Sequence, residues 1–126
     1  MRTIWIIAVV AALSGTAAAQ CDFDTWHGSQ AAAGDHYGQS VSVWGDMAVV
    51  GIPQRDFHEV VNSGSVIMYR KLNGVWTNSV QYTSLDAGVG FGRCVATDGT
   101  LVSVGDGSGP LVGSFPRGAG YIYRRV

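Results

Sequence analysis

The sequence predicts an all-β fold of antiparallel four-stranded meanders, and three observations predict it. Gly38, Val41, Gly45, Val50, Gly51, Gly64, Tyr69 and Arg70 recur at one constant offset as Gly92, Val95, Gly99, Val104, Gly105, Gly118, Tyr123 and Arg124. A repeat of roughly 50 residues built from short strands is the sequence form of propeller blades and stacked β-modules. Within each copy, polar and apolar residues alternate over short runs bounded by Gly, Asp and Asn, the period-two mark of half-buried strands. The 18 glycines and only 13% charged residues suit a chain rich in tight turns. Because a four-stranded antiparallel meander is what one propeller blade is, the fold class is β-propeller blade type, with one complete and one incomplete blade.

The N-terminus stands outside the repeat. Arg2 precedes an apolar run from Ile4 to Leu13, and small residues lead into Ala17, Ala18 and Ala19. That is the order of a secretory signal peptide, so residues 1–19 are expected to be removed and the remainder to be secreted, periplasmic or on the cell surface. The run is shorter than the ~20 residues needed to span a bilayer, so no membrane span is expected after cleavage. Residues 20–34 show neither strand periodicity nor helix length and read as a linker or ragged strand. Cys21 follows Gln20 rather than a small residue, which argues against a lipid anchor. With two cysteines in an exported chain, one bridge between Cys21 and Cys94 is open. The alternative is a buried thiol at Cys94, where the first copy has Ser40, and a free thiol at Cys21.

The first copy, residues 35–88, supplies four strands. Ser40 to Trp44 alternates, Gly45 and Asp46 form a tight link, and Met47 to Gly51 is an apolar run fit for a buried central strand. Ile52 and Pro53 stop it, proline having no donor for a ladder. Gly64 to Arg70 makes a third strand, Asn73 and Gly74 a turn, and Trp76 to Thr83 a fourth. The second copy, residues 89–126, repeats three of these at Arg93 to Thr97, Leu101 to Gly105 and Ala119 to Arg125. There the link is read as Asp98-Gly99. It has no fourth strand of its own, and the segment around Trp26 is expected to provide one.

Composition narrows the function. Eight basic residues face nine acidic ones, for a formal net charge of −1, and without a concentrated basic surface a nucleic-acid partner is not expected. His27, His36 and His58 match no metal spacing, Ser40 and Ser42 fit strand surfaces, and the glycine-rich stretch from Gly105 to Gly120 lacks the Lys-Ser/Thr end of a phosphate loop. A small secreted hydrolase therefore ranks below a binding module, and no cofactor is expected. The loops joining strands two and three in each copy are expected to emerge on one rim. They carry the candidate ligand residues Arg55, Asp56, His58 and Glu59 in the first copy, and Asp106 and Arg117 in the second.

Several ordered motifs, Tyr37-Gly38 and Phe91-Gly92, the Gly-Asp or Asp-Gly link, Val50-Gly51-Ile52-Pro53 and the Tyr-Arg strand end, together resemble the FG-GAP repeat of integrin-α-like β-propellers. The resemblance covers Asp35 to Val126 and marks Tyr37, Gly38, Gly51, Pro53, Phe91, Gly92 and Gly105 as motif positions. It implies an extracellular interaction module that is not an enzyme and takes a protein or glycan ligand, or further propeller blades. The aromatic is expected to pack between neighbouring blades and the glycine to allow close backbone approach. The second copy departs from the pattern at Val104-Gly105-Asp106-Gly107. Calcium loops of such propellers carry an Asp-x-Asp-x-Asp-Gly run; here only Asp22 with Asp24 and the stretch from Asp106 to Gly109 are fragments of one, so no cofactor is expected and calcium is kept as the alternative. An open strand edge in the incomplete blade invites self-association.

Overall fold

The computed structural model describes residues 25, 26, 28, 31–84, 90–107, 111–112, 115–116 and 118–125. The signal-peptide reading of residues 1–19 lies outside them. The described residues are all-β and arranged as antiparallel meanders in two principal sheets. Strands β1 (Ser40–Trp44), β2 (Met47–Ile52), β3 (Ser65–Leu72) and β4 (Val75–Thr83) form a four-stranded sheet in sequence order. Strands β5 (Cys94–Thr97), β6 (Leu101–Asp106) and β9 (Ala119–Arg124) form a three-stranded sheet, and β7 (Leu111–Val112) pairs with β8 (Phe115–Pro116) within the long loop between β6 and β9. That loop thus contains a short ladder.

Local chemistry explains the meander. At the β3–β4 turn Asn73 and Gly74 both have positive φ, 51° and 84°, the conformation that asparagine and glycine tolerate best. The β1–β2 link places Gly45 and Asp46 between paired Trp44 and Met47. The equivalent β5–β6 link is shifted by one residue from the sequence reading. Asp98 donates its N–H to Leu101 O at 3.3 Å, so Gly99 and Thr100 are the central pair. The Asp98 carboxylate flanks the turn and accepts the Thr100 and Leu101 amides at 2.8 and 2.7 Å. A short acceptor side chain reaching back to its own turn is favoured over leaving those donors to solvent.

The two sheets stack face to face. Met47, Val49, Val66 and Met68 of the first sheet meet Phe91, Val102 and Val104 of the second copy in one core, with Val95, Tyr121 and Tyr123 packed against it. A second core lies on the far face of the first sheet, where Ala48, Val50, Ile52, Ile67 and Tyr69 pack with Trp26, Tyr37 and Trp76. β2 is therefore buried along its whole length. Through the repeat, Val95, Val102, Val104, Tyr121 and Tyr123 occupy the places of Val41, Ala48, Val50, Ile67 and Tyr69. Each sheet thus turns the same side backward, as in head-to-tail stacking.

This packing corrects one expectation and decides how β1 faces. Trp26 does not complete the second sheet; its ring stacks on Tyr69 at 4.7 Å and meets Trp76 edge-on at 5.2 Å. The broad far face of the first sheet offers an indole more apolar contact than a sheet edge does. In β1 the alternation holds, but the side turned to the second sheet is the serine side. Ser40 Oγ donates to Gly92 O at 2.8 Å and Ser42 Oγ accepts the Thr97 N–H at 3.0 Å, while Val41 and Val43 are each 54% exposed. Small hydroxyls suit the narrow gap between β1 and β5, where backbone polar groups need partners.

Candidate functional site

The aromatic-glycine pair builds the junction between the copies. Phe91 is 2% exposed, with its ring edge-on to Tyr121 at 5.2 Å. Its N–H donates to Ser63 O at 3.3 Å, and the Gly92 N–H donates to Gly105 O at 3.3 Å. The first copy repeats the latter contact, Gly38 N–H to Gly51 O at 3.1 Å. A Cβ on Gly51 would lie 2.0 Å from Gly92 O, and one on Gly64 2.3 Å from Phe91 O. No side chain fits there, which is the close approach the motif requires. Pro53 is fully buried. Tyr37, the equivalent of Phe91, is only half-buried on the far face and shares a 2.5 Å hydrogen bond between its hydroxyl and that of Tyr69. Burial first, and then that bond, push its hydroxyl pKa well above the ordinary tyrosine value.

The rim loop of the first copy is held by its own backbone. Phe57 and Val60 exchange N–H···O bonds at 3.0 Å in both directions, and the Asp56 carboxylate accepts the Asn62 N–H at 2.8 Å. Arg55 O accepts the Gly64 N–H at 3.0 Å and Ser63 Oγ at 3.2 Å. Positive φ at His58 and Asn62, 54° and 52°, turns the loop back on itself. Asp56, His58 and Glu59 are exposed on it. Arg55 is 7% exposed and Asp106 5%, so both sequence candidates belong to the packed base of their loops and not to the rim surface. Arg117 lies outside the described residues.

The other sequence candidates lie in different parts of the fold. Ser40 and Ser42 are engaged between the sheets as described, His36 and His58 are exposed in separate loops, and His27 lies outside the described residues. Cys94 is a free, exposed thiol on β5, not a buried one, because β5 turns that position away from the first sheet; Cys21, its proposed partner, lies outside the described residues. Among the described residues no group of three or more His, Cys, Asp or Glu side chains converges, and Asp22 and Asp24 lie outside them.

One feature escaped the sequence reading. Between the sheets, beside β4 and β9, lies a cleft of about 260 Å³ lined by Met68, Val80, Tyr82, Val102 and Tyr123, with Arg70, Arg124 and Arg125 also on its wall. Tyr82 and Tyr123 stack at 4.3 Å. Asp46 links the copies, 3.7 Å from Arg70 and 3.3 Å from Arg125. The hydrogen bonds from Arg125 hold the Asp46 carboxyl below its ordinary pKa. The recurrence of Tyr-Arg at Tyr69-Arg70 and Tyr123-Arg124 was the available signal, but only stacking puts Arg125 beside Asp46.

A family model of the FG-GAP repeat matches residues 27–69, which include β1, β2 and most of β3 but no residue of the second copy. No curated protein and no solved structure matches the chain. No helix among the described residues is long and apolar enough to cross a membrane.

Proposed function

We propose that this FG-GAP repeat protein is a non-catalytic interaction module, secreted or held at a cell surface, that binds a protein or glycan ligand through the loops joining the second and third strand of each copy. The observation that carries the reading is the form of the 54–63 loop. It is fixed at its base by buried Arg55 and Ser63 and closed by the Phe57–Val60 and Asp56–Asn62 bonds, yet it displays Asp56, His58 and Glu59 to solvent. A rigid base with exposed polar tips lowers the ordering cost of binding. The export reading rests on the order of residues in positions 1–19.

The test is a screen of the purified chain against an immobilised panel of glycans and secreted proteins, followed by the triple variant Asp56→Ala, His58→Ala, Glu59→Ala. A hit weakened at least about tenfold, the equivalent of ~1.4 kcal/mol, with an unchanged melting temperature supports the rim site. A hit that binds the triple variant equally well overturns it.

A second reading, a structural module within a larger array of blades, draws on Ile122. It is 74% exposed, whereas Met68, its repeat equivalent, is 5% exposed beneath the second copy. Sedimentation of Ile122→Arg beside the parent chain tests that reading. It expects association of the parent through this face and a monomeric variant.

A further inference from the structure

We propose that the outer edge of β9 and the cleft beside it form a binding site for an extended peptide strand that carries a large aromatic side chain opposite Arg125. The site is separate from the rim loops and stands or falls independently of them.

The backbone half of the argument comes from hydrogen-bond phase. The Arg125 N–H donates to Thr100 O at 2.9 Å. In an antiparallel ladder donors alternate between the two sides, so Gly120, Ile122 and Arg124 direct their N–H groups away from β6. The first sheet shows the same phase. The Lys71 N–H donates to Asp46 O at 2.8 Å, and Val66, Met68 and Arg70 turn theirs toward β4, which pairs with them as Val66↔Tyr82, Met68↔Val80 and Arg70↔Thr77. β9 is the last strand of its sheet among the described residues. Its edge therefore presents the donors and acceptors that β3 offers to β4, and an added strand would satisfy them by β-augmentation.

The side-chain half comes from register. In the first sheet Lys71 pairs with Trp76 and covers its ring, with Nζ 5.6 Å from the centroid. The repeat equivalent of Lys71 is Arg125. Tyr123 and Arg125 share a face of the strand by period two, and both line the cleft. A strand docked on β9 in the β4 register would thus send the residue opposite Arg125 into the cleft, between Met68, Val80, Tyr82 and Tyr123. Its volume of about 260 Å³ falls below the ~300–1,000 Å³ of small-molecule pockets, and suits a side chain better than a whole ligand. Apolar walls with arginines beside them favour an aromatic, which guanidinium groups cover as Lys71 covers Trp76. Arg70 Nε is buried in this region without a hydrogen-bond partner, a donor that faces neither water nor an acceptor.

The chain contains the probe. A synthetic peptide copying residues 73–84, which span β4, carries Trp76 at the required position. Added to the full chain at up to about 1 mM, it should slow amide exchange at Gly120, Ile122 and Arg124 at least about tenfold, with little change at Tyr121 and Tyr123, whose donors already face β6. A peptide methylated on its ladder-forming nitrogens, and one with Trp76→Ala, should each bind at least about tenfold more weakly. In the chain, Ile122→Pro removes an outward donor without touching the β6 ladder and should abolish the protection; the methylated peptide keeps the test decisive if that variant fails to fold. Three results overturn the proposal. They are no protection at those amides at the highest peptide concentration, binding indifferent to both peptide changes, and protection that rises with chain concentration in the absence of peptide, which would assign the edge to a second copy.

Discussion

The two sheets run nearly the same sequence pattern through nearly the same backbone, yet one is covered on both faces and the other on one. Each residue of β2 is buried, whereas in β6 burial alternates. Val49 is inaccessible and its equivalent Ser103 is exposed. Strand, turn and register therefore follow from each copy's own residues, while burial follows from what lies against the sheet. At two positions the side chains agree with their surroundings, while Ile122 on the same face stays 74% exposed. On the uncovered face the second copy replaces Val49 with Ser103 and Val66 with Gly120, which lowers the apolar area left in water.

The sharpest break of the comparison is at equivalent glycines. Gly51→Ala would drive its Cβ to within 2.0 Å of the Gly92 carbonyl, a backbone atom, whereas Gly105→Ala would meet only the exposed, rotatable thiol of Cys94 at 2.1 Å. Urea denaturation should show Gly51→Ala losing more than about 4 kcal/mol or failing to fold, and Gly105→Ala losing about 1 kcal/mol. Equal losses would mean that the two junctions are packed alike.

The aromatic partners come next. Phe91→Ala removes a fully buried ring between the sheets and should cost about 3–5 kcal/mol. Tyr37→Ala removes a half-buried ring and should cost roughly half of that. Tyr37→Phe isolates the hydroxyl contact with Tyr69, expected at about 1 kcal/mol. A larger loss for Tyr37→Ala than for Phe91→Ala would place the main core on the far face of the first sheet.

The smallest effect concerns the ionic link between copies. The Asp46 carboxyl has its pKa lowered in the folded chain by Arg125 first and by Arg70 as well. Its contribution is therefore present above the unfolded carboxyl pKa of about 3.9 and lost as pH falls through the lower folded value. Thermal melts should show Asp46→Asn below the parent at pH 7, with the gap closing as pH falls below the unfolded carboxyl value and shrinking in about 1 M salt. A gap independent of pH and salt would show that the residue acts through its turn geometry instead.

Much of this is legible in the sequence. The turn at Asn73-Gly74 announces itself because few residues accept positive φ at both positions, and the recurrence of Gly51 as Gly105 announces a close approach. The rim loops were legible as loops, but the burial of Arg55 and Asp106 was not, since a charged residue in a polar segment carries no sign of being folded under it. The Gly99-Thr100 turn was misplaced by one residue because Asp98-Gly99 is itself a good turn pair, and only the repeat equivalence to Trp44-Gly45 fixes the phase.

The sequence by itself determined the strands of the two meanders, their antiparallel order within each copy and the glycine positions, because propensity, periodicity and positive φ act over a few neighbouring residues. Only the tertiary structure decided where Trp26 packs, that β1 turns its serines inward, and that Asp46 meets Arg125 across the copies. Each of those depends on which surface is nearest in space, and the energies that choose among surfaces, apolar contact and the pairing of buried polar groups, are set by residues far apart in the chain.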